Sequence, residues 1–191
     1  MPCSPERYAE RWGVSMRKLY ENIDTTVDEV EFFQSLREHA GYSHYTFSKL
    51  PLGYEIECAM ESYGSITGWC EFKRRHVDMN KYPTLILSLH KYKQLVSYSF
   101  FNDDGAMLFV RWNDKDAVHH VPSEHIKYDI AWGGRSDRGD WQDTEPVVHI
   151  PIKDFVVLSL EREKLSEAGR DRLGRMLSNG KPWTVGAGDG R

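Results

Sequence analysis

The sequence predicts a single domain of the α/β or α+β class, in which helices flank a central mixed β-sheet. Three observations support this prediction. Segments with helical spacing of apolar residues alternate with segments whose polarity repeats every two residues. The 191 residues suit one compact domain with small extensions. The composition, 40% hydrophobic and 13% aromatic, excludes a disordered or fibrous chain.

The N-terminal part of the chain predicts two helices. Ser4 followed by proline resembles an N-cap and a first helical position, and apolar residues then recur at helical spacing through 5–23. Thr26 and Glu29 form a capping box that predicts the start of a second helix. Gly41 stands where a C-cap glycine is expected, so this helix should end just before it.

A β-hairpin is predicted next. Residues 54–60 alternate in polarity, as a half-buried strand does. Residues 62–65, Ser-Tyr-Gly-Ser, have turn chemistry, and a second strand follows at 66–73. Two strands joined by so short a turn pair as an antiparallel hairpin.

The middle of the chain predicts a helix between two strands. After the apolar stretch 84–87, Ser88 can cap a helix over 88–99. The segment 106–112 is strongly apolar and is expected inside the sheet, and another strand is expected around 117–121.

The C-terminal third predicts a long polar loop at 132–146, a short strand at 147–150, a helix over 160–178 and a frayed glycine-rich end. The expected organisation has three parts: an N-terminal helical extension (1–25), an α/β core (26–160) and a C-terminal helix with a flexible tail (161–191).

Charge and location signals limit the functional classes. The net charge of −4 argues against a protein that coats nucleic acid non-specifically, although residues 63–93 carry a local net charge of +4 that could face a polyanion. No apolar run approaches the roughly 20 residues of a membrane span, and the N-terminus lacks the apolar core of a signal peptide. Three cysteines without a CxxC motif favour a reduced setting. We therefore expect a cytoplasmic protein without a membrane partner.

The hairpin carries the most informative set of side chains. Glu71 and Lys73 lie two residues apart on one strand, so they project from the same face of the sheet. Glu57 precedes Glu71 by 14 residues, a spacing that lets the hairpin bring the two carboxylates together. Carboxylate oxygens are suitable ligands for Mg²⁺ or Mn²⁺, and a neighbouring lysine can position water for phosphodiester hydrolysis. Glu55 and Glu61 are alternatives to Glu57.

At Glu71-Phe72-Lys73 the sequence resembles the PD-(D/E)xK nuclease superfamily, which has the restriction-endonuclease-like fold. The resemblance covers residues 26–121, and within it the sequence is similar to nuclease-like proteins of phages and prophages. It implies a Mg²⁺- or Mn²⁺-dependent DNA endonuclease in which Glu57 and Glu71 hold the metal and Lys73 activates or positions water. It also makes a homodimer plausible as the working form.

This chain departs from the family pattern in one respect. The family usually places an aspartate, often after a proline, where Glu57 stands, and this chain has no such proline. Many members also recruit a glutamate from the preceding helix, a role for which Glu38 and Glu31 are candidates.

Basic side chains near the hairpin and in the polar loop are candidate contacts to nucleic acid. These are Arg74, Arg75, Lys91, Lys93, Arg135 and Arg138.

Two other interpretations remain open at the sequence level. A nuclease-like fold without chemistry could bind nucleic acid or a protein partner, and a small phage-type protein could block a host enzyme by surface mimicry.

Overall fold

The computed structural model describes residues 23–51, 54, 56–123, 128–134 and 144–186. This part of the chain has an α+β architecture with a seven-stranded mixed sheet, a three-stranded antiparallel sheet and three α-helices. The class agrees with the sequence prediction, but the second sheet was not predicted. None of the described helices has the length and apolar character needed to cross a bilayer.

The regular elements follow one another along the described chain with short connections. The helices are α1 (Ile23–Arg37), α2 (Leu89–Ser99) and α3 (Glu167–Ser178). The strands are β1 (Thr46–Lys49), β2 (Cys58–Ser62), β3 (Ser65–Arg74), β4 (Thr84–Ser88), β5 (Ala106–Arg111), β6 (Asp116–Val121), β7 (Asp129–Gly134), β8 (Thr144–Pro151), β9 (Val156–Leu158) and β10 (Thr184–Val185).

The large sheet has the strand order β10-β1-β2-β3-β5-β6-β9. Its central pair, β3 and β5, is parallel, and the other pairs are antiparallel. A parallel pair needs a crossover connection, which here contains β4 and α2. The small sheet has the order β4-β8-β7, so the crossover also supplies one of its strands.

Two apolar cores cover the two faces of the large sheet. On the first face, phenylalanines from α1, β1, β3 and β5 pack together with residues of α3. On the second face, α2 and the small sheet cover Leu108 and Val110 of β5. Alternate residues of a strand point to opposite faces, so each face has its own set of side chains. On β3, Cys70 and Phe72 belong to the first core, which leaves Glu71 and Lys73 for the second face.

The predicted hairpin is confirmed. Tyr63 and Gly64, the two residues between β2 and β3, have φ angles of 50° and 78°, as a tight hairpin turn requires. The register pairs Cys58 with Cys70, which brings Glu57, the residue just before β2, next to Glu71.

Several boundaries differ from the sequence prediction. The chain becomes a strand only at Cys58, rather than at residue 54. Thr26 lies inside helix α1 (Ile23–Arg37) and is buried rather than capping it. Ser88 precedes α2 as expected, but its hydroxyl donates to Glu145 instead of capping the helix. Residues 160–166 are not helical, and α3 begins at Glu167 after the capping side chain of Ser166.

The remaining differences concern strands and termini. Both ends of the predicted loop 132–146 are wrong, because β7 extends to Gly134 and β8 begins at Thr144, while 135–143 lie outside the described residues. The predicted strand 147–150 lies within the longer β8. Strands β1, β9 and β10 were not predicted, because they have only two to four residues and no clear alternation. The predicted helix 5–23 lies almost wholly in residues 1–22, which are outside the described residues. The predicted frayed end is also outside them from residue 187 onward.

Phe109 of β5 provides a test of the first core. It is fully buried, and its ring contacts those of Phe32, Phe33 and Phe47. We expect Phe109→Ala to lower the free energy of unfolding by about 3–5 kcal/mol, because the lost ring leaves a cavity between α1 and the sheet. Urea unfolding measures this loss. Tyr63→Ala, at a fully exposed turn position, is the control and should change stability little. Equal stability of Phe109→Ala and the wild type would contradict this packing.

Candidate active site

Four charged side chains meet on the second face of the large sheet. The Lys73 ammonium lies 2.5 Å from Glu71 Oε1 and 3.4 Å from Glu57 Oε1. The Lys91 ammonium also contacts Glu71 Oε1 and lies 3.5 Å from Glu57 Oε1. We call these four residues the carboxylate–lysine cluster.

Three elements position the cluster. Glu71 and Lys73 project from β3, where the alternation of the strand places them on the face opposite Phe72. Lys91 comes from the first turn of α2, which packs across β3 and β5. Glu57 lies just before β2, and its Oε2 accepts a hydrogen bond from the backbone N–H of Phe72 at 3.1 Å. That bond fixes the Glu57 carboxylate beside the strand that carries Glu71.

Burial and charge act in opposite directions on Glu57. Burial alone would raise the pKa of its carboxyl group. The positive charges of Lys73, Lys91 and Lys49, together with the hydrogen bond from Phe72, outweigh burial and lower the pKa to about 2. Glu57 is therefore ionised at neutral pH.

Glu71 has the opposite shift. Its side chain is 1% exposed, and burial together with the negative charge of Glu57 raises its pKa, although the two lysines oppose that effect. For Lys73, burial would lower the pKa, but both carboxylates outweigh it and raise the pKa above its usual range. Lys73 thus keeps its positive charge next to a carboxyl group whose pKa is raised.

One carboxylate oxygen of the cluster is relevant to cation binding. The second oxygen of Glu71, Oε2, is buried and has no hydrogen-bond partner among the described residues. A buried carboxylate oxygen without a partner is costly, and a hard cation would satisfy it. Within the described ranges no group of three His, Cys, Asp or Glu side chains could hold a metal. Mg²⁺ is commonly held by one or two carboxylates, with water and phosphate oxygens completing its coordination, so Glu57 and Glu71 fit that requirement.

The alternative carboxylates lie elsewhere. Glu61, near the other end of β2, accepts a hydrogen bond from Ser48. Glu38 is exposed beyond the end of α1. Glu31 accepts hydrogen bonds from the Leu165 N–H and from Arg170, so it ties α1 to the C-terminal segment. Glu55 lies outside the described residues.

The basic residues predicted to contact nucleic acid lie in different environments. Lys91 belongs to the carboxylate–lysine cluster. Arg74 donates to Asn113 Oδ1 and to backbone oxygens, and Arg75 donates to the Ile86 carbonyl oxygen. Lys93 is exposed on α2. Arg135 and Arg138 lie outside the described residues.

A second ion pair borders the cluster and was missed by sequence reasoning. Lys49, at the end of β1, lies 2.9 Å from Glu29 of α1, and Trp183 Nε1 donates to the same carboxylate at 3.3 Å. The positive charge of Lys49 also acts on Glu57. Only the pairing of β1 with β2 brings Lys49 here, and β1 gave no sequence signal.

The chain also matches a known protein family. A family model described as "Phage putative PDDEXK endonuclease" matches residues 15–158. The chain belongs to this family. The match covers about three quarters of the chain and includes every member of the carboxylate–lysine cluster.

Membership in the phage PDDEXK endonuclease family confirms the resemblance seen at Glu71-Phe72-Lys73, and the α+β architecture is consistent with the restriction-endonuclease-like fold that it implied. Searches of curated proteins and of solved structures gave no match. The roles of the individual site residues remain predictions.

The shared oxygen of Glu71 predicts that Lys73 and Lys91 partly replace each other. Either ammonium alone can neutralise the carboxylate. We therefore expect Lys73→Met and Lys91→Met each to lower the free energy of unfolding slightly, and the double variant to lower it much more. The double variant should lose about 1 kcal/mol or more beyond the sum of the single losses, measured by urea unfolding at neutral pH. The control pairs Lys73→Met with Lys93→Met, on the exposed side of α2, and should be additive. Additivity of the first pair would show that the lysines do not share Glu71.

Proposed function

We propose that this protein is a Mg²⁺- or Mn²⁺-dependent endonuclease that hydrolyses phosphodiester bonds in DNA. The observation that supports this most strongly is the carboxylate–lysine cluster, in which Glu57 and Glu71 lie together beside two ammonium groups. Family membership supports endonuclease chemistry, and the unpartnered Glu71 Oε2 supports a role for a hard cation.

Glu57 and Glu71 would hold the cation through their carboxylate oxygens. The bound cation would supply charge neutralisation at the scissile phosphate and a lowered pKa of bound water. The hydrogen bond from Phe72 keeps Glu57 oriented, and burial within the sheet keeps Glu71 in a fixed position. Such rigidity suits phosphoryl chemistry, in which positioning and electrostatics contribute most of the rate enhancement.

Lys73 acts in this proposal as a hydrogen-bond donor. Its pKa is raised by the two carboxylates, so the side chain keeps its proton at neutral pH. An ammonium cannot accept a proton from water, but it can orient the attacking oxygen and stabilise negative charge on the phosphate. Lys91 approaches from α2 on the same carboxylates and adds a second positive charge. Arg74, Arg75, Lys93, Arg135 and Arg138 are proposed to contact phosphates of the DNA.

Cleavage of DNA tests this function directly. Supercoiled, linear and single-stranded DNA are each incubated with Mg²⁺ or Mn²⁺, with EDTA as the metal-free control. We expect wild-type cleavage that EDTA abolishes, and a loss on the order of 10²-fold or more in Lys73→Ala and in Glu71→Gln. Lys115→Ala, at an exposed position between β5 and β6, is the matched lysine control and should lose far less. A drop below about threefold in Lys73→Ala would contradict the role given to this residue.

Metal binding is a separate measurement that does not need a substrate. If Glu57 and Glu71 hold the cation, Mn²⁺ at about 100 times its dissociation constant should raise the melting temperature of the wild type by about 5–10 °C. In Glu71→Gln this rise should largely disappear, because the amide removes one anionic ligand. Equal stabilisation of both proteins would place the metal elsewhere.

One observation favours a second candidate function. Both lysines contact Glu71, so the carboxylates are already neutralised within the protein itself. A nuclease-like fold that has lost its chemistry and binds nucleic acid or a protein would keep such an arrangement for stability. That candidate predicts neither Mn²⁺ stabilisation nor cleavage, whereas the endonuclease requires both.

A further inference from the structure

We propose that a cavity beside the carboxylate–lysine cluster receives one unpaired nucleobase of the DNA strand that is cut. This inference rests on the proposed endonuclease function and specifies the form of its substrate. It concerns a site formed by the second, smaller sheet and by the connection between β3 and β4.

The cavity has a volume of about 530 Å³ and is partly open to solvent. This size lies within the range of small-molecule sites in proteins. Apolar side chains such as Leu85 and Ile152 contribute most of its wall, and a few polar groups interrupt them. A flat aromatic heterocycle with hydrogen-bonding edges suits such a lining, because it needs both apolar contact over its faces and polar partners at its rim.

Tyr82 offers an aromatic ring for stacking. Tyr82 lines the cavity and is 57% exposed, so its ring is accessible from solvent. Trp112 also lines the cavity but is almost completely buried, where it packs edge-on against Phe155. Bases that leave the stack bind proteins by stacking on aromatic side chains, and every base has a π-face that can do so.

A polar pair supplies hydrogen-bonding groups to the same cavity. Thr84 Oγ1 and His149 Nδ1 lie 3.2 Å apart, one on β4 and one on β8, and both residues line the cavity. The hydroxyl can donate or accept, and the imidazole can do either according to its tautomer. A base edge carries both donors and acceptors, so this pair can match it.

Arg75 connects the cavity with the proposed reaction centre. It lines the cavity and lies two residues beyond Lys73, where its backbone N–H extends the β3–β5 pairing by donating to the Arg111 carbonyl oxygen. Its positive charge acts on Lys73. A DNA strand with one phosphate at Lys73 can thus place an adjacent phosphate near Arg75 and the attached base in the cavity.

The geometry has a consequence for substrate choice. A base that enters this cavity must leave the stack of a duplex, which costs energy, whereas a single strand or an unpaired nucleotide avoids most of that cost. The protein should therefore bind single-stranded or locally unpaired DNA more tightly than perfect duplex of the same sequence.

The test measures binding without cleavage. A single-stranded oligonucleotide with one 2-aminopurine is titrated with the full-length protein in EDTA, and both fluorescence anisotropy and 2-aminopurine intensity are recorded. We expect the wild type to bind the single strand more tightly than the duplex and to quench the probe. In Tyr82→Ala, affinity should fall by about tenfold and the quenching should disappear. Thr84→Val should weaken binding less, because it removes only the hydroxyl.

Tyr63→Ala removes a fully exposed tyrosine at the hairpin turn and is the matched control, which should bind as the wild type does. Unchanged affinity and quenching in both Tyr82→Ala and Thr84→Val would overturn the proposal, as would a preference for perfect duplex. Because EDTA prevents metal-dependent cleavage, the result is independent of catalysis. Quenching that depends on Tyr82 in a protein that never cleaves would support the base site and contradict the endonuclease. Metal-dependent cleavage without this quenching would support the endonuclease and contradict the base site.

Discussion

The burial of the Glu71 carboxylate is the constraint on which the arrangement of this protein depends. The side chain is 1% exposed in the middle of a seven-stranded sheet, where an isolated negative charge would be very unfavourable. Two ammonium groups compensate it, one from the same strand and one from helix α2. The second of these requires α2 to pack across β3 with its first turn over the carboxylate. The stability of the ion cluster and the position of α2 therefore depend on each other.

The connection between β3 and β5 places α2 in this position and also forms part of the neighbouring cavity. Parallel pairing of these strands forces the intervening chain across one face of the sheet. This chain first contributes β4 to the small sheet and then forms α2. One connection consequently brings Lys91 to the carboxylates and forms part of the wall of the adjacent cavity. The proposed reaction centre and the proposed base site are thus neighbours because of the topology.

Sequence patterns predicted the local features and missed those that depend on packing between distant segments. The hairpin was predictable because Tyr63 and Gly64 have turn chemistry and because a spacing of 14 residues aligns Glu57 with Glu71. The direct contact of Lys91 with Glu71 could not be predicted, since it depends on the way α2 packs on the sheet. The polarity of 54–60 predicted a strand, yet only its second half is one, and the Glu57 side chain is instead held by the Phe72 N–H. The small sheet pairs residues of β4 and β8 that lie 59 to 67 positions apart in the sequence, beyond the reach of any periodicity.

The central claim is that Glu57 and Glu71 together hold a divalent cation. Crystals of the wild-type protein grown with Mn²⁺, with diffraction data collected at the manganese absorption edge, test it most directly. The account predicts one strong anomalous peak within coordinating distance of Glu57 and Glu71, with Glu71 Oε2 as a ligand and with Lys73 still in hydrogen-bond reach of a Mn²⁺-bound water. An anomalous peak bound by other residues, or the absence of a peak between these two carboxylates at saturating Mn²⁺, would contradict it.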